Sequence, residues 1–97
     1  MSTRILNAND ARALGEIVTI ASQGFKVRRL VGSDVVEATA RALVLSPENP
    51  VFPGPGDDVR DCWLWVTGTS GFERYWPVME LVYEWQQMML AVLEEQA

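Results

Sequence analysis

Histidine is absent from the 97 residues. This removes the commonest general base, the usual transition-metal ligand and every Ser-His or Cys-His nucleophile pair. What remains is one thiol, scattered carboxylates and a short run of cations. Cys62 stands between Asp61 and Trp63. A carboxylate neighbour disfavours the thiolate, so Cys62 reads as a small buried hydrophobe. Asp57, Asp58 and Asp61 follow Pro-Gly-Pro-Gly, and three carboxylates can hold a hard cation. Their spacing lacks the D-x-[DN]-x-[DN]-G order and the closing Glu of a calcium loop, so a solvated loop without metal is expected. Glu80 and Glu84 share one helix face four residues apart. On a polar face they serve solubility rather than acid–base work. Gly54-Pro-Gly56 and Gly68-Thr-Ser-Gly71 carry no Lys-Ser/Thr pair and no G-x-G-x-x-G. Both read as turns, and no cofactor is expected. Nothing in this set is an activated group, so the chain is expected not to be an enzyme.

Lys26, Arg28 and Arg29 form the one basic cluster. A helix on each side of it would resemble helix-turn-helix, but about nine residues would then separate the helices where that motif uses three or four. Residues 1–45 carry six cations against four carboxylates, whereas residues 46–97 carry two against nine. The net charge of −5 repels phosphate backbones. A nucleic-acid-associated regulator using Lys26, Arg28 and Arg29 is therefore the alternative function and not the leading one. The single cysteine rules out an intrachain disulfide and points to a reducing cytoplasm. No run of 18 or more apolar residues is present, so no membrane span is expected. Nor does the N-terminus read as a secretory signal. Seven arginines to one lysine, with abundant Ala and Val, is the usage of a GC-rich bacterial or phage genome.

The elements that must position these residues follow from periodicity. Asn9 or Asp10 caps a helix through Ser22, with Leu14, Ile17, Val18 and Ala21 as its buried stripe. Gly24 closes it in the left-handed conformation, and Phe25 packs back. Phe25–Val31 reads as a strand or extended link, broken by Gly32-Ser33. Asp34 and Glu37 have capping-box spacing, which predicts a second helix burying Val36, Thr39, Ala40 and Leu43 and ending at Pro47. Residues 46–58, with four prolines and two glycines, form a loop, pinned to the body by Val51 and Phe52. Val59–Thr67 fits either period, and Trp-Leu-Trp-Val-Thr favours a strand. Gly68–Gly71 is a turn. Pro77 sits in the first turn of a last helix running to about Gln96.

The expected fold is one domain over residues 1–97, mainly α with a small two-stranded β element (α+β), an all-α helical domain being the alternative. The last helix presents an apolar arc of roughly 220°, against the ≳100° a surface helix needs. Val78, Val82, Trp85, Met89, Val92 and Leu93 supply its docking stripe, with Leu81 and Met88 on one flank. Met79, Tyr83 and Leu90 make a second strip on the other flank, expected to face a partner. Four tryptophans concentrated in the last third suit both a core and an interface. The leading expectation is thus a small acidic protein-binding module, an inhibitor or adaptor acting by surface occlusion. Its partner would be another protein or a second copy in a homodimer.

Overall fold

A computed structural model of the chain describes residues 8–85. Helix α1 (Ala8–Gln23) leads into strands β1 (Lys26–Val31) and β2 (Asp34–Val44). A single 3-10 turn (Val59–Asp61), strands β3 (Trp63–Thr67) and β4 (Glu73–Pro77) and helix α2 (Val78–Glu84) complete the order. The strands form one antiparallel meander, β1-β2-β3-β4. The architecture is α+β with roughly equal helix and strand content, in place of the mainly α fold the periodicity predicts.

Helix α1 forms close to the expected span, but it already includes Ala8, so Asn9 and Asp10 lie within its first turn instead of capping it. Its buried face is Ala13, Ile17, Ile20 and Ala21, while Val18 turns outward. Gly24, at φ 71°, closes it; the Gly24 and Phe25 amides both donate to the Ile20 carbonyl, at 3.0 and 3.2 Å. A left-handed residue there satisfies the helix end at no steric cost.

The predicted second helix is strand β2. Gly32-Ser33 links β1 to β2 as a two-residue turn, with Val31 paired to Asp34. Gly32 sits at φ 65°, the first central position that a type II′ hairpin reserves for glycine. Once that turn closes, Val35, Val36 and Thr39 lie in a ladder that β-branched residues favour. Glu37 then faces Arg28 across the strands instead of capping a helix.

Segment 59–67 divides into the 3-10 turn and β3, in line with the strand reading of its second part. Strand β4 is an element the periodicity does not reveal. Pro77 occupies the N-cap of α2. The predicted continuation of that helix past Trp85 lies outside the described residues. The proline-rich loop is tied by backbone: the Leu45 amide donates to the Val51 carbonyl at 2.9 Å, and the Asn49 amide donates to Ser46 Oγ at 2.9 Å. Val51 and Phe52 themselves are exposed, so the expected apolar pinning is replaced by hydrogen bonds within the loop.

Both helices cover the same face of the sheet. Val27, Ala38, Ala40, Leu64, Val66 and Trp76 meet Ile17, Ile20, Val78, Leu81, Val82 and Trp85 there. Burying each large aliphatic side chain contributes about 1.5–3 kcal/mol. Cross-strand partners share a face, so Val44, Trp63, Trp65, Tyr75 and Pro77 belong to the opposite face.

Candidate functional site

The basic cluster lies on β1, at one edge of the sheet. Strand alternation sends Lys26 and Arg28 to the face opposite the helices and Arg29 to the helix-covered face. Arg28 Nε–H donates to Glu37 Oε2 at 3.0 Å. Arg29 is gripped by α2: Nε–H and Nη2–H donate to the two Glu84 oxygens at 3.1 and 2.9 Å, and Nη2–H also reaches Glu80 Oε1 at 2.7 Å. Its guanidinium stands 5.3 Å from the ring centroid of Trp76 on β4. The side chain is only 12% exposed. The Glu84 hydrogen bond is the main cause that raises its pKa above the ordinary value, against the opposing effect of burial. Arg29, Glu80 and Glu84, assigned separately from the sequence, thus form one tie between the first strand and the last helix. A forked donor that is shared by two carboxylates and backed by an aromatic ring is a structural clamp.

Backbone polarity on this edge follows from one bond. The Ala40 amide donates to the Phe25 carbonyl at 2.9 Å. Alternation then makes Val27/Ala38, Arg29/Val36 and Val31/Asp34 the hydrogen-bonded pairs. Lys26, Arg28 and Leu30 therefore point their N–H and C=O groups away from β2, along the rim. Neither proline nor bulge interrupts this rim. It runs into a hairpin tip where Leu30 is 48%, Val31 48% and Val35 63% exposed. Exposed apolar residues beside open strand groups are a template for another strand. The signal in the sequence was Leu-Val-Gly-Ser-Asp-Val-Val, two β-prone runs separated by a two-residue turn.

The remaining predicted residues are placed as follows. Met79 packs partly buried against the core, and Tyr83 is 53% exposed on α2. Leu90 lies outside the described residues. Helical spacing puts Tyr83 beside Glu80, the residue that reaches Arg29. Leu81, read as a flank, is fully buried with Val78 and Val82. Asp57 Oδ2 accepts from the Gly54 amide at 2.7 Å, and Asp58 caps the 3-10 turn and binds Arg60. The Arg60 hydrogen bond holds the Asp58 carboxyl below the usual carboxylate range. Among the described residues no group of three or more His, Cys, Asp or Glu side chains could hold a metal ion. Cys62 is buried in the core. Burial, and then the nearby charges of Asp57, Asp61 and Asp58, push its thiol pKa up.

On the sheet face away from the helices, Trp65 pairs with Tyr75 and Trp63 with Pro77. Trp65 Nε1–H donates to Glu73 Oε1 at 3.2 Å, and Arg41 Nε–H donates to Thr67 Oγ1 at 2.7 Å. Trp63, Trp65 and Tyr75 are half-buried. Among the described residues no helix is long and apolar enough to cross a membrane. No known protein family, curated protein or solved structure matches the chain.

Proposed function

We propose that this chain is a non-enzymatic protein-binding module, an adaptor or inhibitor, whose partner lays an extended segment along β1 as a fifth strand. The open rim of β1 carries this reading: three outward amide–carbonyl pairs at Lys26, Arg28 and Leu30 lead into the exposed tip of Leu30, Val31 and Val35. Main-chain bonds supply affinity in such an addition, and alternate side chains supply selectivity. A carboxylate opposite Lys26 and an apolar residue opposite Leu30 suit this strip. Met79 and Tyr83, on the helix that holds Arg29, remain with Leu90 the second proposed contact. The buried, unpaired Cys62 suits a reducing cytoplasm.

A nucleic-acid role draws on the same cluster, but two of its three cations already face carboxylates. That observation favours a protein partner. The test uses Arg28→Pro, which removes an outward N–H and no β1–β2 backbone bond while giving up the exposed Arg28–Glu37 side-chain pair, and Leu30→Asp, which charges the apolar tip. A partner cross-linked to the native chain in its host, and identified by mass spectrometry, is expected to be lost with both variants while thermal unfolding stays near wild type. Retention of that partner by both folded variants would rule out strand addition at β1.

A further inference from the structure

The opposite edge of the sheet has a different chemistry, and it fits a second copy of the same chain. The Gly68 amide donates to the Phe72 carbonyl at 2.9 Å, and the Val78 amide donates to the Cys62 carbonyl at 3.1 Å. With the β3–β4 register, these two bonds make Val66/Arg74 and Leu64/Trp76 the hydrogen-bonded pairs between them. Glu73, Tyr75 and Pro77 therefore turn their backbone groups outward along the free rim of β4. Two amides and three carbonyls are offered there, since Pro77 has no N–H. Helix α2 leaves this rim at Pro77 and runs inward, where Glu80 and Glu84 reach Arg29 on the far edge. No described residue pairs with the rim of β4.

We infer that β4 pairs antiparallel with β4 of a second copy about a two-fold axis at Tyr75, joining two four-stranded sheets into one. In this register Tyr75 exchanges two N–H···O=C bonds with its counterpart. Each Glu73 amide donates to the Pro77 carbonyl of the other copy; the Glu73 carbonyl meets no return donor in Pro77 and stays open at the end of the pairing. All three outward residues of each β4 are engaged. The side chains agree with the backbone. Tyr75 opposes Tyr75, and the neighbouring Trp65 of each copy extends an aromatic row across four strands. On the helix-covered face Arg74, whose guanidinium lies 4.9 Å from its own Phe72 ring centroid, comes opposite the buried Trp76. No like charges meet. Shifting by one pair to centre on Arg74 would oppose two arginines. A two-fold pairing along β1 does the same wherever it covers the middle of that strand: Arg28 on Arg28, Lys26 on Arg28 or Arg29 on Arg29. Arg28 and Arg29 already hold Glu37, Glu80 and Glu84, so the repulsion along β1 is partial, but β4 meets none in this register and is the edge assigned to self-association. A two-fold contact of this kind closes on itself and stops at two copies.

The experiment is sedimentation of the full chain in the micromolar range, with three variants. The wild type is expected at twice the 10.9 kDa of one chain. Tyr75→Lys and Tyr75→Glu each place like charges at the axis and are expected to weaken self-association at least about tenfold. Mixing the two should restore a dimer that contains one of each, a rescue that a folding defect cannot produce. Arg28→Pro, at the other edge, should leave the dimer intact. A monomeric wild type, a dimer insensitive to both charges, a mixture that fails to re-form it, or open-ended oligomers would each overturn the proposal. Loss of the dimer with Arg28→Pro would place self-association on β1 and overturn both readings together.

Discussion

Cys62 and Arg29 show how far a residue's neighbours in sequence define its environment. For Cys62 they supply part of it: Asp57, Asp58 and Asp61 are local, but the larger influence is burial in a core assembled from distant elements. Cys62→Ser places a hydroxyl in an apolar site and is expected to cost roughly 1–2 kcal/mol in urea unfolding with the fold retained. The raised thiol pKa also has a pH signature. The folded chain holds the proton more tightly, so that contribution to stability is complete below the ordinary thiol value. It is lost as pH rises from the unfolded value through the raised folded one. Alkylation of the native chain should accordingly be slow at neutral pH and accelerate only above the ordinary thiol range. Fast labelling near neutrality would show an activated cysteine and weaken the non-enzymatic reading. Arg29 goes further. Its partners Glu80 and Glu84 are more than fifty residues away, and no local pattern announces them. Arg29→Met should leave two adjacent carboxylates without their cation. Glu80 is 56% and Glu84 32% exposed, so solvent limits the loss to about 1–2 kcal/mol. A thermal melt within error of wild type would show that the clamp contributes nothing.

Among the elements, α1 and β3 were readable and β2 was not, for a definite reason. Val36, Thr39, Ala40 and Leu43 satisfy a helical period, and Asp34 with Glu37 imitates a capping box. Local spacing cannot weigh these against a partner strand, and the partner wins because a two-residue turn delivers it in register. The burial that results follows neither period cleanly. A bulge between Ala40 and Ala42 leaves Ala38, Ala40 and Val44 as the buried set, which is the pattern that hid the strand. Strand β4 escaped because Glu-Arg-Tyr-Trp-Pro alternates poorly and ends in a proline that belongs equally to a helix start. The hairpin account makes Gly32 the element's weak point. Gly32→Ala forces a side chain into the left-handed region at about 1–2 kcal/mol. The urea midpoint should fall while the slope stays unchanged. A neutral result would mean that the register is held by the Arg28–Glu37 and Arg29 contacts without help from the turn.

At the scale of the whole molecule, folding rearranges a charge distribution that the sequence presents as two halves. The first half is net basic and the second strongly acidic. In the structure Arg29 crosses to the carboxylates of the last helix and Arg28 is met by Glu37, so two cations of the basic half are neutralised within the fold. Lys26 makes no ion pair with any described residue; Arg41, two residues beyond its partner Thr39 on β2, commits Nε–H to Thr67 Oγ1, and Arg74 lies at the far edge on β4. Binding to a phosphate backbone needs several such cations acting together, because each neutralised phosphate releases counterions and adds close to one to the slope of log K against log salt. A chain of net charge −5 must also overcome its own repulsion on approach. Fluorescence anisotropy with duplex DNA, single-stranded DNA and structured RNA is therefore expected to show no sub-micromolar binding at physiological salt. Any low-salt binding should have a slope no steeper than about −3. Replacing Lys26, Arg28 and Arg29 together by Ala should change that weak binding little, while lowering stability through the lost clamp. A tight complex with a steep slope that this triple variant abolishes, in a chain still folded by circular dichroism, would instead make β1 a nucleic-acid surface. The strand-addition reading would then fall with it, since both claim the same rim.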